Sequence, residues 1–251
     1  MNFKNLHQQE APLLICNVWD AASAKVAQKL NFKVIGTSSA AIASMLGYED
    51  GEQMSFGELV FIVKRILAVT TLPLTVDIEA GFSRDPIEVA SHIKELVELG
   101  VVGINIEDSL CINERTLQNA DEFAKKLSEI KQILNKEKVN VFINVRTDTF
   151  LLGKDNALAD TLARIKLYAS TGIDGIFVPC ITKESDISTV VESTSLPINV
   201  MCMPDLPDFK TLEKLNIKRI SMGNFMFDNL ALNFENTLYS ISESQSFTPV
   251  F

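Results

Sequence analysis

The chain has 251 residues, 47% of them apolar, enough to bury a large core, and at this length a single domain spanning residues 1–251 is expected. A formal net charge of -9 argues against a nucleic-acid or anionic-membrane partner, since both need a concentrated basic surface. No apolar run approaches a bilayer span, residues 1–6 lack a signal-peptide core, and the four cysteines (Cys16, Cys111, Cys180 and Cys202) form no CxxC pair, so a cytoplasmic protein with reduced, buried thiols is expected.

Short runs rich in Val, Ile and Phe recur along the chain, each followed by a polar tip and then by a segment with helical spacing. The first strand covers 13–16, and Asp20 caps a helix over 21–30. A second strand, 34–37, leads through Ser38, Ser39 and Ala40 into the apolar segment 41–46, and Ser55 with Glu58 opens a helix over 55–68. Strand 74–76 is followed by helix 86–99, with Asp85 as cap and Pro86 in the first turn. Strand 103–106 precedes helix 119–135, strand 141–145 precedes helix 158–171, strand 175–178 precedes helix 184–193, and strand 198–201 precedes helix 208–215. The last strand, 219–222, is followed by a helix over 225–241 and a polar tail, so residues 225–251 form a C-terminal helix and tail. Eight strands alternating with helices predict a (β/α)8 TIM-type barrel.

Such a barrel places its chemistry at the C-terminal ends of its strands. Asp77 and Glu79 stand two residues apart beyond one strand, and Glu107 follows the next. Alternation puts Asp77 and Glu79 on one face, and sequential strand order brings Glu107 beside them. Carboxylates gathered in this way repel one another unless a hard cation lies between them, and oxygen-only ligands suit Mg2+ or Mn2+ better than zinc. Helix capping or a solvated loop would account for one such tip; two in succession favour a metal site. Arg146, after strand 141–145, could grip a carboxylate with two parallel hydrogen bonds or form a structural salt bridge to Asp148 or Glu107.

The two histidines, His7 and His92, lie away from the tips, which removes histidine triads and His-rich zinc sites. Neither a GxGxxG fingerprint nor a P-loop sequence occurs.

The succession Asn17-Val18-Trp19-Asp20-Ala21-Ala22-Ser23-Ala24, Gly36-Thr37-Ser38-Ser39-Ala40, Gly47-Tyr48-Glu49-Asp50, Val76-Asp77-Ile78-Glu79-Ala80-Gly81-Phe82, Gly103-Ile104-Asn105-Ile106-Glu107-Asp108 and Asn144-Val145-Arg146-Thr147-Asp148 resembles the isocitrate lyase and phosphoenolpyruvate phosphonomutase superfamily from about residue 10 to about residue 230. The resemblance implies a modified barrel whose eighth helix is swapped between subunits, in a homo-oligomer that is a dimer or a dimer of dimers. It implies Mg2+, with Mn2+ as an alternative, ligated directly by Asp77 and through water by Asp50, Glu79 and Glu107. Ser38, Ser39 and Ala40 match the turn that holds the substrate carboxylate, Arg146 matches the arginine facing it, and Asn199 lies near a substrate-contacting asparagine. Tyr48 is a candidate proton donor by its place in the sequence.

After Glu107 the chain departs from its closest models. Lyases of isocitrate or methylisocitrate carry a Lys-Lys/Arg-Cys-Gly-His segment there, whereas this chain reads Asp108-Ser109-Leu110-Cys111-Ile112-Asn113-Glu114-Arg115. Cys111 comes too early and lacks basic neighbours that would stabilise its thiolate, and the gating-loop lysine and asparagine of the phosphonomutases are absent. The resemblance is closest to the α-oxocarboxylic acid lyase-like branch without the cysteine loop. It implies a carbon-carbon lyase or decarboxylase for a small α-oxo or 2-hydroxy carboxylate such as oxaloacetate, acting through an enolate. Phosphonomutase or phosphonopyruvate hydrolase chemistry is one alternative, and a metal-dependent organic-acid binding protein without turnover is another.

Overall fold

The computed structural model describes residues 3–153 and 155–251; residues 1 and 2, part of the leading stretch read above for a signal core, lie outside the described residues. After a 3-10 helix, Phe3–Gln8, the elements run β1 (Leu13–Leu14), β2 (Cys16–Val18), α1 (Ala21–Lys29), β3 (Ile35–Thr37), α2 (Ser39–Leu46), α3 (Phe56–Leu67), β4 (Leu74–Asp77), α4 (Pro86–Glu98) and β5 (Gly103–Glu107). They continue with β6 (Ser109–Cys111), β7 (Arg115–Leu117), α5 (Ala120–Lys136), β8 (Phe142–Arg146), α6 (Ala157–Ala169), β9 (Gly175–Val178), α7 (Glu184–Glu192), β10 (Ile198–Met201), α8 (Phe209–Lys214), β11 (Arg219–Ser221) and α9 (Phe225–Ser244).

All eight expected strands are present, and each pairs in parallel with its neighbours. The segments β1 and β2 are two pieces of one strand interrupted at Ile15. Leu13 pairs with Arg219 of β11, whereas Cys16 pairs with Ile35 of β3, so this strand stands at both ends of the order β1-β11-β10-β9-β8-β5-β4-β3-β2. The sheet thereby closes on itself, and nine strand segments fill eight positions of a (β/α)8 barrel.

The core lies between the strands and the surrounding helices. Helix α3 shows why its segment is helical: Ser55 and Glu58 form a reciprocal capping box, and Leu59, Val60, Ile62, Val63 and Ile66 turn one face onto the sheet. Asp20 and Asp85 cap α1 and α4 as expected. Burying each such aliphatic side chain contributes about 1.5–3 kcal/mol. Beneath the barrel, at the N-terminal strand ends, Phe3, Leu6 and His7 of the 3-10 helix pack with Leu13, Ile15, Val34 and Phe142. The His7 ring stacks on Phe142 with centroids 4.2 Å apart. Gly103 must be glycine there, because a Cβ would come within 2.8 Å of the Phe3 ring.

Three features differ from the sequence reading. Residues 109–117 fold as an antiparallel hairpin, β6 with β7, joined through Cys111↔Arg115. Ser39–Leu46 is a full helix, and α9 runs on to Ser244 instead of giving way to a tail at residue 242. The cysteines are free, as expected, but none is fully buried, and Cys202 is exposed.

Helix α9 has no buried residue. Met226, Leu230, Phe234 and Leu238, spaced by four along one stripe, are each at least half exposed. Its first turn meets the barrel where Phe227 lies 5.3 Å from the Trp19 ring, and Leu230 and Asn233 further along line a groove whose other wall is α1. Among the described residues no helix is long and apolar enough to cross a membrane.

Candidate active site

Asp77 ends β4 inside the barrel mouth. Its backbone N donates to Thr37 Oγ1 at 2.8 Å, and Ser39 Oγ donates to its Oδ2 at 3.2 Å. Glu79 does not reach the site by strand alternation, as the sequence reading held. The strand stops at Asp77, and Glu79 adopts a left-handed φ of 49°, which costs energy for a side chain other than glycine and so marks a constrained position. Its backbone N donates to Asp77 Oδ1 at 3.2 Å, and its Oε2 accepts from the backbone N of Glu52. Its Oε1 is buried without a partner. Burial, reinforced by the charges of Asp50, Asp77 and Glu107, pushes the Glu79 carboxyl up to about 9.

Glu107, at the end of β5, stands in register with Arg146 at the end of β8. Arg146 Nη1 lies 3.0 Å from Glu107 Oε2, while its Nε and Nη2 donate to Asp148 at 2.6 and 3.2 Å. Both ion pairs that the sequence offered as the structural role of Arg146 are therefore present. Burial pushes Glu107 up, against the pull of Arg146 and Arg115. Asp108, the next residue, faces the opposite way. It accepts from Thr147, Arg164 and Tyr168 at 2.8, 3.0 and 2.8 Å, and so braces the strand tip against α6.

Arg115 carried no role in the sequence reading, and Asp148 entered it only as a salt-bridge partner of Arg146. Arg115, on the hairpin, pairs with Asp50 Oδ2 through Nη2 at 2.7 Å, and with Glu107 Oε1 and Asp148 through Nη1. Asp148, fully buried, joins Arg146, Arg115 and Ser109. The available signal was the pattern Ser109-Leu110-Cys111 and Arg115-Thr116-Leu117 across a three-residue turn, which allows a hairpin and folds Arg115 back toward the acids. The loop bearing Asp50 is closed against this hairpin at Gly51, whose φ is 118° and where a Cβ would lie 2.5 Å from that of Cys111.

The remaining sequence candidates divide. Ser38 caps α2 and Ser39 touches Asp77, so the N-terminus of α2, with Ala40 in its first turn, faces the cluster through Ser39. Asn199 is 1% exposed inside the barrel, with Nδ2 donating to Ser221 at 3.3 Å and Oδ1 buried without a partner. It pairs in register with Phe177, whose ring lies 5.9 Å below the Arg146 guanidinium. Tyr48 stands apart: its half-exposed hydroxyl donates to Glu58 Oε1 at 2.9 Å. Deeper in the barrel, Arg219 is 1% exposed and donates to Asn105 Oδ1 at 3.2 Å, and burial pushes it down to about 10.

As the side chains stand, no three His, Cys, Asp or Glu residues among the described ones converge tightly enough to hold a metal ion. The donor set still fits a hard cation: Asp50, Asp77, Glu79 and Glu107 offer oxygen only, and Glu79 Oε1 and Asp50 Oδ1 are buried without partners. Two of these acids hold the Arg115 guanidinium instead.

A closed parallel barrel with its polar cluster confined to the C-terminal strand ends is the architecture of the (β/α)8 enzymes. The chain belongs to the phosphoenolpyruvate phosphomutase family, whose model matches residues 3–242, and is an enzyme of the isocitrate lyase/phosphoenolpyruvate mutase superfamily. It is 31% identical over 224 residues to an uncharacterized protein of Mycobacterium tuberculosis, covering 89% of this chain and 82% of that one. It is 30% identical over 190 residues to an oxaloacetate decarboxylase of Bradyrhizobium sp., covering 72% and 63%. A crystal structure of a candidate phosphonomutase from Burkholderia cenocepacia superposes with a TM-score of 0.86 at 33% identity, covering 98% of this chain and 97% of the other.

Proposed function

We propose that this chain is a Mg2+-dependent lyase or decarboxylase for a small α-oxo or 2-hydroxy carboxylate of the oxaloacetate type. The observation that carries the reading is a buried, unpartnered Glu79 Oε1 whose carboxyl feels the charges of Asp50, Asp77 and Glu107, with Arg146 paired to Glu107. The similarity to an oxaloacetate decarboxylase supports the substrate class. Mg2+, or Mn2+ in its place, held by Asp77 and through water by the other three acids, would supply a Lewis acid toward the substrate's oxo group.

The chain's own residues account for binding and orientation. Ser38, Ser39 and Ala40 open α2, whose N-terminal N–H groups suit a substrate carboxylate. Arg146 is already fixed on two acids and stacked over Phe177, so its guanidinium needs little reorganisation to face the negative charge of a developing enolate. Asn199 retains an unpaired Oδ1 below it for a substrate or water proton. Tyr48 could donate the final proton only by leaving Glu58. The resemblance implies that the last helix packs on a second subunit, and the uncovered apolar stripe of α9 supports that arrangement here, in a dimer or dimer of dimers.

P–C bond chemistry on a phosphonopyruvate-like substrate is the second reading, favoured by the likeness to the Burkholderia cenocepacia protein. Product formation should be followed with oxaloacetate, other α-oxo acids and phosphonates in the presence of Mg2+, for the wild type and Asp77→Ala. Turnover of an α-oxo acid that Asp77→Ala abolishes in a folded protein is expected. Turnover confined to phosphonates would replace the first reading by the second, and binding without any turnover would leave an organic-acid binding protein.

A further inference from the structure

The hairpin delivers a cation to the same oxygens that a divalent metal would need. Arg115 Nη2 lies on Asp50 Oδ2 at 2.7 Å, and Nη1 lies on Glu107 Oε1, 2.9 Å from Ser109 Oγ and 3.4 Å from Asp148 Oδ2. The Arg115 side chain is only 15% exposed, so its charge is poorly screened by water. It does not satisfy the cluster. Glu79, 1% exposed, keeps Oε1 unpartnered, and so does Asp50 its Oδ1.

A guanidinium and a divalent ion sharing Asp50 and Glu107 at these distances would set two positive centres side by side, and at the buried Glu107 end their repulsion is weakly screened. The hairpin also packs closely on the Asp50 loop, where Cys111 approaches Gly51. Releasing Arg115 from the acids removes the ion pairs that hold the hairpin on that loop. We infer that Arg115 is an internal counter-ion which closes the hairpin over the acid cluster and which a divalent metal must displace, so that hairpin closure and metal binding oppose each other. By linkage, closure weakens metal binding by the same factor that metal weakens closure. This rests on the reading of the cluster as a metal site.

The test titrates MgCl2 into the full-length protein by calorimetry, for the wild type, Arg115→Gln and Arg84→Gln. In parallel, amide hydrogen exchange is measured across residues 109–117 of the wild type with and without Mg2+. The expected result is at least about tenfold tighter Mg2+ binding in Arg115→Gln. Arg84→Gln, which removes an equal charge from the neighbouring pair with Glu52, should change affinity far less. Exchange in the hairpin should rise when Mg2+ is added. The exchange arm needs no variant, so it decides the matter even if Arg115→Gln does not fold. Unchanged or weaker binding in a folded Arg115→Gln, an equal gain in Arg84→Gln, or a hairpin whose exchange is unaffected or slowed by Mg2+ would each overturn the inference while leaving the metal site standing. Absence of Mg2+ binding in every protein would overturn both.

Discussion

Arg146 shows how one side chain can belong to both the scaffold and the reaction. All three of its guanidinium nitrogens are already committed, Nε and Nη2 to Asp148 and Nη1 to Glu107, in a geometry that only a planar fork can serve. Lysine keeps the charge but offers a single donor centre. For Arg146→Lys, kcat/KM toward the α-oxo acid should fall at least about tenfold, equivalent to roughly 1.4 kcal/mol of transition-state stabilisation. Steady-state kinetics on a variant shown to be folded by circular dichroism would check this, and near-normal values would return Arg146 to the scaffold. At this scale much of the site was legible: Asp77, Glu79, Glu107 and Arg146 follow strand-like runs, and a barrel brings such tips together. Asp148 was legible as a partner of Arg146, whereas Arg115 was not legible, because its contacts arise only after a hairpin folds back over the mouth. Glu79 was placed for the wrong reason, since a left-handed turn rather than strand alternation brings it in.

The elements were read best where local chemistry and periodicity agreed. Asp20, Ser55 and Asp85 each announced a helix start that the structure contains. Each arm of the hairpin is only three residues long, too short for a periodicity to show, and the small apolar residues of α2 carry no clear stripe. The 3-10 helix under the barrel also went unread, although it carries a titratable group into the core. Burial of the His7 ring, reinforced by the charge of Arg219, lowers it from 6.5 to about 4. As pH falls, the unfolded chain therefore takes up this proton before the folded one does. The contribution of neutral His7 is complete above about pH 6.5 and is lost progressively down to about pH 4, a change of up to about 3 kcal/mol. Urea denaturation across this range should show the stability of the wild type, measured relative to His7→Gln, dropping as pH falls. A pH-independent difference between the two proteins would mean that His7 titrates normally in the folded state.

For the whole molecule, the uncovered face of α9 is the main departure from a self-sufficient barrel. Met226, Leu230, Phe234 and Leu238 form a continuous apolar stripe, and covering several such side chains is the usual driving force for stable association. Sedimentation should therefore find the wild type larger than one chain. Phe234→Glu, in the middle of the stripe, should shift it toward a smaller species that keeps its barrel circular-dichroism signal. A wild type that sediments as a monomer would remove the proposal that this helix is exchanged.

The split first strand sets the order in which the molecule can be made. Residues 13 and 14 wait for partners at 219 and 220, close to the opposite end of the chain, so the last seam of the ring pays the largest loop-closure entropy. Until β11 emerges from the ribosome, the growing sheet has two open edges and a polar inner surface containing Asn105 and Asn144. The strand that shuts the ring also carries Arg219, which crosses the interior to Asn105. Closing the seam and burying that guanidinium thus both need β11 in place, and a chain lacking that strand has neither a finished barrel nor the cation at its centre.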